Sequence, residues 1–188
     1  MRVISGIYRG RTIRTVSDLS VRPATDRVRQ TIFDVLTHRL PFEGARVLDL
    51  FAGSGSLGIE ALSRGAAHAT FVEDSREAAG FIERNLQTLG CTDCGLVLEA
   101  DALGYVRPGT GPFDLIFADP PYAFDRTREI PGIVFTSGIL RRGGYLLIEH
   151  AAGVSFALAD AYRVGPVKRF GRTQVTFFTH ANGRDDAR

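Results

Sequence analysis

The stretch of residues 46–60, RVLDLFAGSGSLGIE, limits what this chain can fold into more than any other part of it. Residues 47–51 form a short apolar run typical of a buried strand, and Gly53, Gly55 and Gly58 then follow with the spacing G-x-G-x-x-G before a helical pattern. A strand, a glycine turn and a helix open the nucleotide-binding half of a doubly wound α/β sheet. Dehydrogenases, flavoproteins and methyltransferases share this spacing, so it predicts the fold class and not the ligand.

Two acidic residues near this turn favour a cationic ligand. Asp49 lies in the predicted strand, and Glu73 lies twenty residues after Gly53. A carboxylate here would repel the pyrophosphate of a dinucleotide, whereas it would attract the ammonium and sulfonium groups of S-adenosylmethionine (AdoMet). Taken singly, Asp49 could merely cap the loop and Glu73 could be a solvated strand end. Together with the glycine turn, they predict a site for AdoMet.

The order of the predicted elements indicates a Rossmann-like α/β fold. Because strands and helices alternate, the sheet should be mostly parallel. Only residues 169–172 separate the last two strands, which is too short for a crossover, so these strands should form an antiparallel hairpin. We predict seven strands at 46–51, 69–73, 95–99, 113–118, 144–149, about 162–168 and 173–180, and helices at about 56–64, 75–89, 101–106 and 127–140, the last interrupted near Pro131.

Residues 1–40 are expected to form a small basic extension of this domain. The alternation up to Thr15 predicts a β-hairpin that turns near Gly10, and a helix from an N-cap at Thr25 to about Leu40 should follow. The first 39 residues hold eight arginines against three aspartates, although the whole chain carries a net charge of only +2. A basic segment on a slightly acidic body predicts a polyanionic partner.

Residues 41–182 should form the α/β domain, and residues 183–188 a flexible tail. A chain of 188 residues is long enough for a full α/β core. The N-terminus has no apolar signal-peptide core and no apolar run reaches membrane-spanning length, so we expect a cytoplasmic protein that does not associate with membranes. Cys91 and Cys94 form a single C-x-x-C without further ligands nearby, so we expect ordinary loop thiols rather than a zinc site.

The sequence Asp119-Pro120-Pro121-Tyr122 follows the fourth predicted strand, at the same sheet edge as the glycine turn. Two prolines make a stiff turn that offers acceptors, the Asp119 carboxylate and the Pro120 carbonyl, while Tyr122 offers a ring face for stacking. An exocyclic amine on a nucleobase is a poor nucleophile, and acceptors for its hydrogens raise the electron density on its nitrogen. Positioning and electrostatics then suffice for methyl transfer. The alternative is a simple strand-ending turn.

Asp101 and Ala102 follow the third predicted strand. The Asp101 carboxylate could accept a hydrogen bond from the adenine amino group of AdoMet, or it could cap the next helix, and the two roles are compatible. Asn85 and His150 are polar residues near the ends of predicted elements, and the sequence assigns no role to them. The histidines form no triad and no metal-ligand spacing, so no metal site is expected.

The chain resembles the RsmD family of 16S ribosomal RNA (guanine-N2)-methyltransferases over essentially its whole length. The matching stretches are residues 5–11 (SGIYRGR), residues 22–29 (RPATDRVR), residues 48–64 and the D-P-P-Y sequence. The last two are common to many amino-methyltransferases, whereas the N-terminal pair is specific. Ser5 stands where the family pattern has glycine, and the C-x-x-C pair is not a family feature.

The resemblance implies a class I, AdoMet-dependent enzyme that methylates the exocyclic N2 amine of one guanine in 16S ribosomal RNA. It also implies an assembled or assembling small ribosomal subunit as the substrate, and we expect a monomer. It assigns AdoMet to Asp49, Phe51, Gly53, Gly55, Glu73, Asp74, Asp101 and Ala102, the guanine to Asp119, Pro120 and Tyr122, and the RNA to Arg9, Arg11, Arg22, Arg27 and Arg29.

Two other functions remain open from the residues alone. A DNA adenine-N6 methyltransferase shares the D-P-P-Y sequence, but reading a DNA duplex usually needs a separate recognition domain, and about 40 N-terminal residues are few for that purpose. A dinucleotide-binding domain, either of an oxidoreductase or without catalytic activity, shares the glycine turn. Asp49 and the antiparallel end of the sheet argue against it.

Overall fold

The computed structural model describes residues 1–15 and 23–181. Arg22 and the predicted tail at 183–188 lie outside the described residues. The helices are α1 (Pro23–Thr37), α2 (Ser56–Ser63), α3 (Arg76–Leu89), α4 (Ala102–Tyr105) and α5 (Ile130–Ser137), and the strands are β1 (Arg46–Leu50), β2 (His68–Glu73), β3 (Gly95–Glu99), β4 (Phe113–Ala118), β5 (Leu140–Ala151), β6 (Tyr162–Phe170) and β7 (Thr173–His180).

The strands form one sheet of seven in the order β3-β2-β1-β4-β5-β7-β6. Strands β1 to β5 are parallel, while β7 runs antiparallel to both β5 and β6. Alternate residues of β4 point to different cores: Phe117 packs with residues of α1, α2 and α3, and Ile116 packs with residues of α4 and α5. The helices therefore cover both faces, and the predicted mostly parallel sheet with an antiparallel end is confirmed.

Two predicted boundaries differ from the structure because of proline and glycine. The region predicted to be helical at 127–140 forms a 3₁₀ helix at Thr127–Glu129 followed by α5, in which Pro131 lies in the first turn and Gly138, with φ of 71°, ends the helix. The following strand β5 therefore begins earlier than predicted. In the N-terminal region, α1 begins at Pro23 and ends at Thr37, so Thr25 lies inside the helix and is not its N-cap.

The N-terminal hairpin is an irregular loop with one β-bridge, between Arg2 and Thr12. It is tied to α2, where buried Glu60 accepts hydrogen bonds from the backbone nitrogens of Ile4 (2.8 Å) and Ser5 (3.0 Å). Gly6 has φ of 82°, and a Cβ there would lie 1.7 Å from the Ser63 carbonyl oxygen, so only glycine fits this contact. Residues 1–15 and 23–40 thus contribute side chains to the same core as the sheet.

The two cysteines lie at the junction of α3 and β3. Cys91 is buried in the core and Cys94 is half-buried, and both are free thiols. Burial raises the pKa of the Cys91 thiol. Among the described residues, no helix is long and apolar enough to cross a bilayer.

Candidate active site

A cleft of about 600 Å³ lies at the carboxyl ends of the parallel strands. This volume is in the usual range for small-molecule sites, and the carboxyl edge is where open α/β sheets bind ligands. The described residues that line it are Val28, Phe51, Gly53, Val72, Glu73, Asp74, Asp101, Ala102, Asp119, Pro120, Pro121, Tyr122, Phe124, Glu149, His150, Phe170 and Thr173. The cleft therefore brings together residues at or just after the carboxyl ends of β1, β2, β3, β4 and β5, with further residues from α1, β6 and β7.

The glycine turn after β1 forms the floor of the cleft. Phe51 has φ of 57°, and it is the one non-glycine residue with a positive φ among those described. Such a conformation is costly for a bulky side chain and is concentrated at functional sites. The Phe51 ring contacts the Phe124 ring edge to face, with centroids 5.0 Å apart. Gly58 fulfils a different need, because a Cβ there would lie 2.3 Å from the Phe71 ring and would push α2 away from β2.

Glu73 fixes the turn from the end of β2. Its carboxylate accepts hydrogen bonds from the backbone nitrogens of Gly53 (2.7 Å) and Ser75 (3.0 Å), and the side chain lines the cleft although the residue is only 8 % exposed. On the next strand end, Asp101 caps α4 by accepting from the Gly104 nitrogen. The two carboxylates are thus held in place by backbone donors at neighbouring strand ends.

Asp49 does not line the cleft, contrary to the expected direct contact with the ligand. It is 1 % exposed, and its carboxylate accepts a hydrogen bond of 2.9 Å from the Gly58 nitrogen, in the first turn of α2. Burial raises the pKa of the Asp49 carboxyl to about 8, and the nearby Asp119 and Glu73 carboxylates add to this shift. Gly55 also lies behind the cleft wall. Both residues therefore shape the turn from behind.

The raised pKa of Asp49 predicts that stability falls as the pH rises. Between pH 4 and 8 the folded protein binds a proton at this carboxyl more readily than the unfolded chain, so stability is greatest below this window and is lost through it. Asp49→Asn keeps an acceptor oxygen for Gly58 but cannot ionise. Between pH 5 and 8 we expect the wild type to lose about 1–3 kcal/mol more of its unfolding free energy than this variant.

Urea denaturation of both proteins at the two pH values measures this difference. Asp93→Asn, which changes an exposed aspartate, is the matched control and should follow the wild type. Parallel pH dependence of Asp49→Asn and wild type would contradict the assignment of this titration to Asp49.

The turn after β4 forms the other end of the cleft. The Asp119 backbone nitrogen donates to the Leu50 carbonyl, which ties the turn to the end of β1, and Pro120 is buried. The Asp119 carboxyl is open to the cleft but surrounded by protein on its other sides, and this burial raises its pKa. Tyr122 is 71 % exposed at the mouth of the cleft, and its hydroxyl hydrogen-bonds to the Thr173 hydroxyl on β7. Its ring therefore presents a free face.

Two cleft residues at the end of β5 were not assigned a role from the sequence. His150 is held by Thr176, at 2.8 Å from its Nε2, and by the Ala151 carbonyl, and burial lowers the pKa of its imidazole. Glu149 lies beside Asp119, and burial together with the Asp119 carboxylate raises the pKa of the Glu149 carboxyl. In the sequence, the feature that could have pointed to Glu149 is its position directly after the apolar run of a strand predicted to lie in the parallel sheet.

The arginines predicted to bind RNA divide into two groups. Arg9, Arg11 and Arg27 are exposed, and Arg11 also donates a hydrogen bond of 2.8 Å to the Thr88 carbonyl on α3. The adjacent residue Val28 lines the cleft, so Arg27 lies on a helix that forms part of its wall.

Arg29 corrects the prediction for the second group. It is 2 % exposed and donates to Asp26 (2.9 Å), to the Arg2 carbonyl and to the Met1 sulfur. Its guanidinium is therefore enclosed by the N-terminal segment, where it packs α1 against the chain start, and it is not available to RNA.

The charge of the cleft discriminates between ligand classes. Among the described residues that line it, five are acidic, namely Glu73, Asp74, Asp101, Asp119 and Glu149, and none is lysine or arginine. Such a surface repels a pyrophosphate and attracts a cation. The cleft thus fits AdoMet better than a dinucleotide.

Comparisons with known proteins agree with this site. A family model described as Conserved hypothetical protein 95 matches residues 1–179. The chain belongs to this family, which is the RsmD family. A curated relative from Haemophilus influenzae, named Ribosomal RNA small subunit methyltransferase D, is 35 % identical over 153 residues, which cover 79 % of this chain and 78 % of the relative.

Solved structures show the same architecture for members and for distant neighbours. The structure of yhhF from Escherichia coli superposes with a TM-score of 0.84 at 30 % identity and covers 96 % of this chain and 97 % of its own. Precorrin-6y C5,15-methyltransferase from Geobacter metallireducens, at 18 % identity, shares the fold alone, with a TM-score of 0.60 over 88 % of this chain and 92 % of its own. The predicted Rossmann-like fold of class I methyltransferases is confirmed.

Proposed function

We propose that this protein transfers the methyl group of AdoMet to the exocyclic N2 amine of a guanine in small-subunit ribosomal RNA. The observation that carries the proposal is a single cleft with an acidic glycine-turn end and an Asp-Pro-Pro-Tyr end. The name of the Haemophilus influenzae relative supports ribosomal RNA as the substrate. Mass spectrometry of nucleosides from small-subunit particles treated with the protein and AdoMet tests the proposal.

The cofactor end of the cleft would hold AdoMet through carboxylates and backbone. Glu73 is placed to accept hydrogen bonds from a ribose diol, and Asp101 with Ala102 is placed beside an adenine. Phe51, Gly53 and Asp74 complete this wall. When bound, AdoMet supplies an electrophilic methyl group on a sulfonium, and the acidic surface stabilises its positive charges.

The other end would hold the nucleobase and activate its amine. The Asp119 carboxylate and the Pro120 carbonyl accept the two N–H groups, and the Tyr122 ring stacks on the base. With the amine held in this way, its lone pair would be directed at the methyl carbon that AdoMet supplies, the electron pair of the broken C–S bond would remain on sulfur, and the Asp119 carboxylate would accept the proton that the nitrogen loses. Orientation and hydrogen bonding from these three residues are sufficient for this displacement.

The exposed arginines would hold the RNA backbone beyond the base-binding cleft, with Arg27 beside the cleft wall and Arg9 and Arg11 on the N-terminal loop near the ends of α2 and α3. Arg9, Arg11 and Arg27 are available for this role in the structure, and Arg22 belongs to the same proposal from the sequence. Because the side chains of Arg9, Arg11 and Arg27 are spread over the N-terminal loop and α1, a folded RNA surface fits them better than a free nucleotide. We therefore propose an assembled or assembling small subunit as the substrate.

Arg9 offers the sharpest test of RNA holding, because its side chain makes no hydrogen bond or ion pair with another described residue. Arg9→Gln should weaken binding to small-subunit particles and flatten the plot of log affinity against log salt concentration by roughly 0.7–0.9, the release of one phosphate contact. The melting temperature and the AdoMet affinity should remain those of the wild type. Filter binding at several salt concentrations measures the slope.

Arg107→Gln is the matched control. Arg107 is exposed and follows α4, on the face of the sheet covered by α4 and α5, whereas the loop that carries Arg9 packs on the face covered by α1, α2 and α3. It should leave the slope unchanged. A wild-type slope in Arg9→Gln would remove Arg9 from the RNA-binding surface.

A further inference from the structure

Asp119 and Glu149 form a pair of carboxyl groups at the ends of two adjacent parallel strands. Ala118 of β4 is in register with Ile148 of β5, so the residues that follow them stand side by side at the carboxyl edge. Both side chains line the cleft, and the Asp119 charge acts directly on Glu149. The pair thus extends the base-binding end of the cleft by one strand.

The Glu149 carboxyl group has no hydrogen-bond donor among the residues that the structure describes. This carboxyl group makes no hydrogen bond or ion pair with another described residue, and β7 places uncharged Val175 opposite Glu149 in the sheet. Two polar residues that line the same cleft are already engaged, since His150 bonds to Thr176 and to the Ala151 carbonyl, and Thr173 bonds to the Tyr122 hydroxyl. A carboxyl group that is enclosed on most sides and lacks a partner favours a donor supplied by a ligand.

Guanine offers two donors side by side, the N2 amine and the N1–H, whereas adenine has an acceptor at N1. With the N2 amine held at Asp119, the N1–H points to the neighbouring strand end. We propose that Glu149 accepts the guanine N1–H hydrogen bond and thereby specifies guanine, an inference that rests on the proposed function. The guanine N1–H hydrogen bond favours the ionised form of Glu149 over the protonated form that burial favours, and that ionised carboxylate would face the N1 lone pair of adenine, which is a repulsive contact.

Three nucleoside monophosphates distinguish the contribution of Asp119 to base binding from that of Glu149. Guanosine monophosphate has both donors, inosine monophosphate has the N1–H without the amine, and 2-aminopurine riboside monophosphate has the amine without the N1–H. Their dissociation constants are measured by NMR titration of the ¹⁵N-labelled protein saturated with S-adenosylhomocysteine, so that no turnover is needed.

The two alanine variants should weaken the binding of different nucleotides. Glu149→Ala should weaken guanosine and inosine monophosphate by about ten- to a hundredfold and leave the 2-aminopurine nucleotide unchanged. Asp119→Ala should weaken guanosine and 2-aminopurine monophosphate and leave the inosine nucleotide unchanged. Glu149→Gln keeps an acceptor oxygen and should recover part of the loss. Glu99→Gln, which changes an exposed glutamate at the end of β3, is the matched control and should match the wild type.

Several results would overturn the inference. Equal weakening of all three nucleotides in Glu149→Ala would indicate a structural role, and no weakening, or no cleft shifts with guanosine monophosphate in the wild type, would exclude the contact. The proposed function fails separately, if the wild type methylates a base other than guanine in ribosomal particles. A wild type that makes N2-methylguanosine while Glu149→Ala binds all three nucleotides normally would leave that function standing and reject only the role of Glu149.

Discussion

Replacing Asp119 with alanine is expected to slow methyl transfer by about a hundred- to a thousandfold while the AdoMet affinity changes little. The reason is its position, because the carboxyl lies at the base-binding end of the cleft and would accept a hydrogen bond that strengthens as the amine becomes tetrahedral and positively charged. Single-turnover rates on small-subunit particles, with calorimetry of AdoMet binding, measure the two quantities separately.

Asp125→Ala is the matched control for this experiment, since Asp125 is an exposed aspartate in the same loop after β4. It should retain the wild-type rate. A large loss of AdoMet affinity in Asp119→Ala, with an unchanged rate at saturating AdoMet, would instead place Asp119 in the cofactor end of the cleft.

Replacing Glu73 with alanine should weaken AdoMet binding by about a hundredfold. Two losses combine in this variant. The charge-assisted hydrogen bonds to the ribose disappear, and the Gly53 and Ser75 backbone nitrogens, which Glu73 now holds at 2.7 and 3.0 Å, lose their acceptor. Isothermal calorimetry measures the affinity, and thermal melting without AdoMet measures how much of the effect comes from the fold.

Glu77→Ala removes an exposed glutamate from the first turn of α3, close to Glu73 in sequence, and should bind AdoMet like the wild type. Wild-type affinity in Glu73→Ala would show that the diol is bound elsewhere. Asp74 and Asp101 would then be the carboxylates that bind AdoMet.

The sheet and the two ends of the cleft could be predicted because strong local signals fix them. Apolar runs separated by helical patterns define the five parallel strands. The predicted loop of four residues between β6 and β7 is too short for a crossover, so these two strands must be antiparallel. Parallel strands place their carboxyl ends at one edge, so Glu73, Asp101 and Asp119 had to lie near one another.

Burial and side-chain direction could not be predicted in the same way. Arg29 lies two residues after Arg27, which is exposed, and the packing of Met1 and Arg2 against α1 helps to enclose the Arg29 guanidinium. Asp49 lies on a strand whose residues alternate between two faces, and the tertiary contact with Gly58 decides that its carboxylate turns away from the cleft. The sequence shows that Arg29 and Asp49 are charged, but it does not show which atoms contact their side chains.

Glu149 was missed for a related reason. Its meaning depends on the register between β4 and β5, which places it beside Asp119 although 30 residues separate them in the chain. A strand that ends in a glutamate is by itself an ordinary solvated strand end. The pair becomes visible only when the order of the strands in the sheet is known.

Nucleoside analysis of ribosomal RNA tests the central claim most directly. Small-subunit particles from a strain that lacks this gene are incubated with the protein and AdoMet labelled with ¹³C in its methyl group, and the digested RNA is analysed by mass spectrometry. We expect labelled N2-methylguanosine in the wild-type reaction. With Asp119→Ala we expect the amount of labelled nucleoside to fall at least about a hundredfold. Label in N6-methyladenosine, or no label in RNA while duplex DNA becomes methylated, would contradict it.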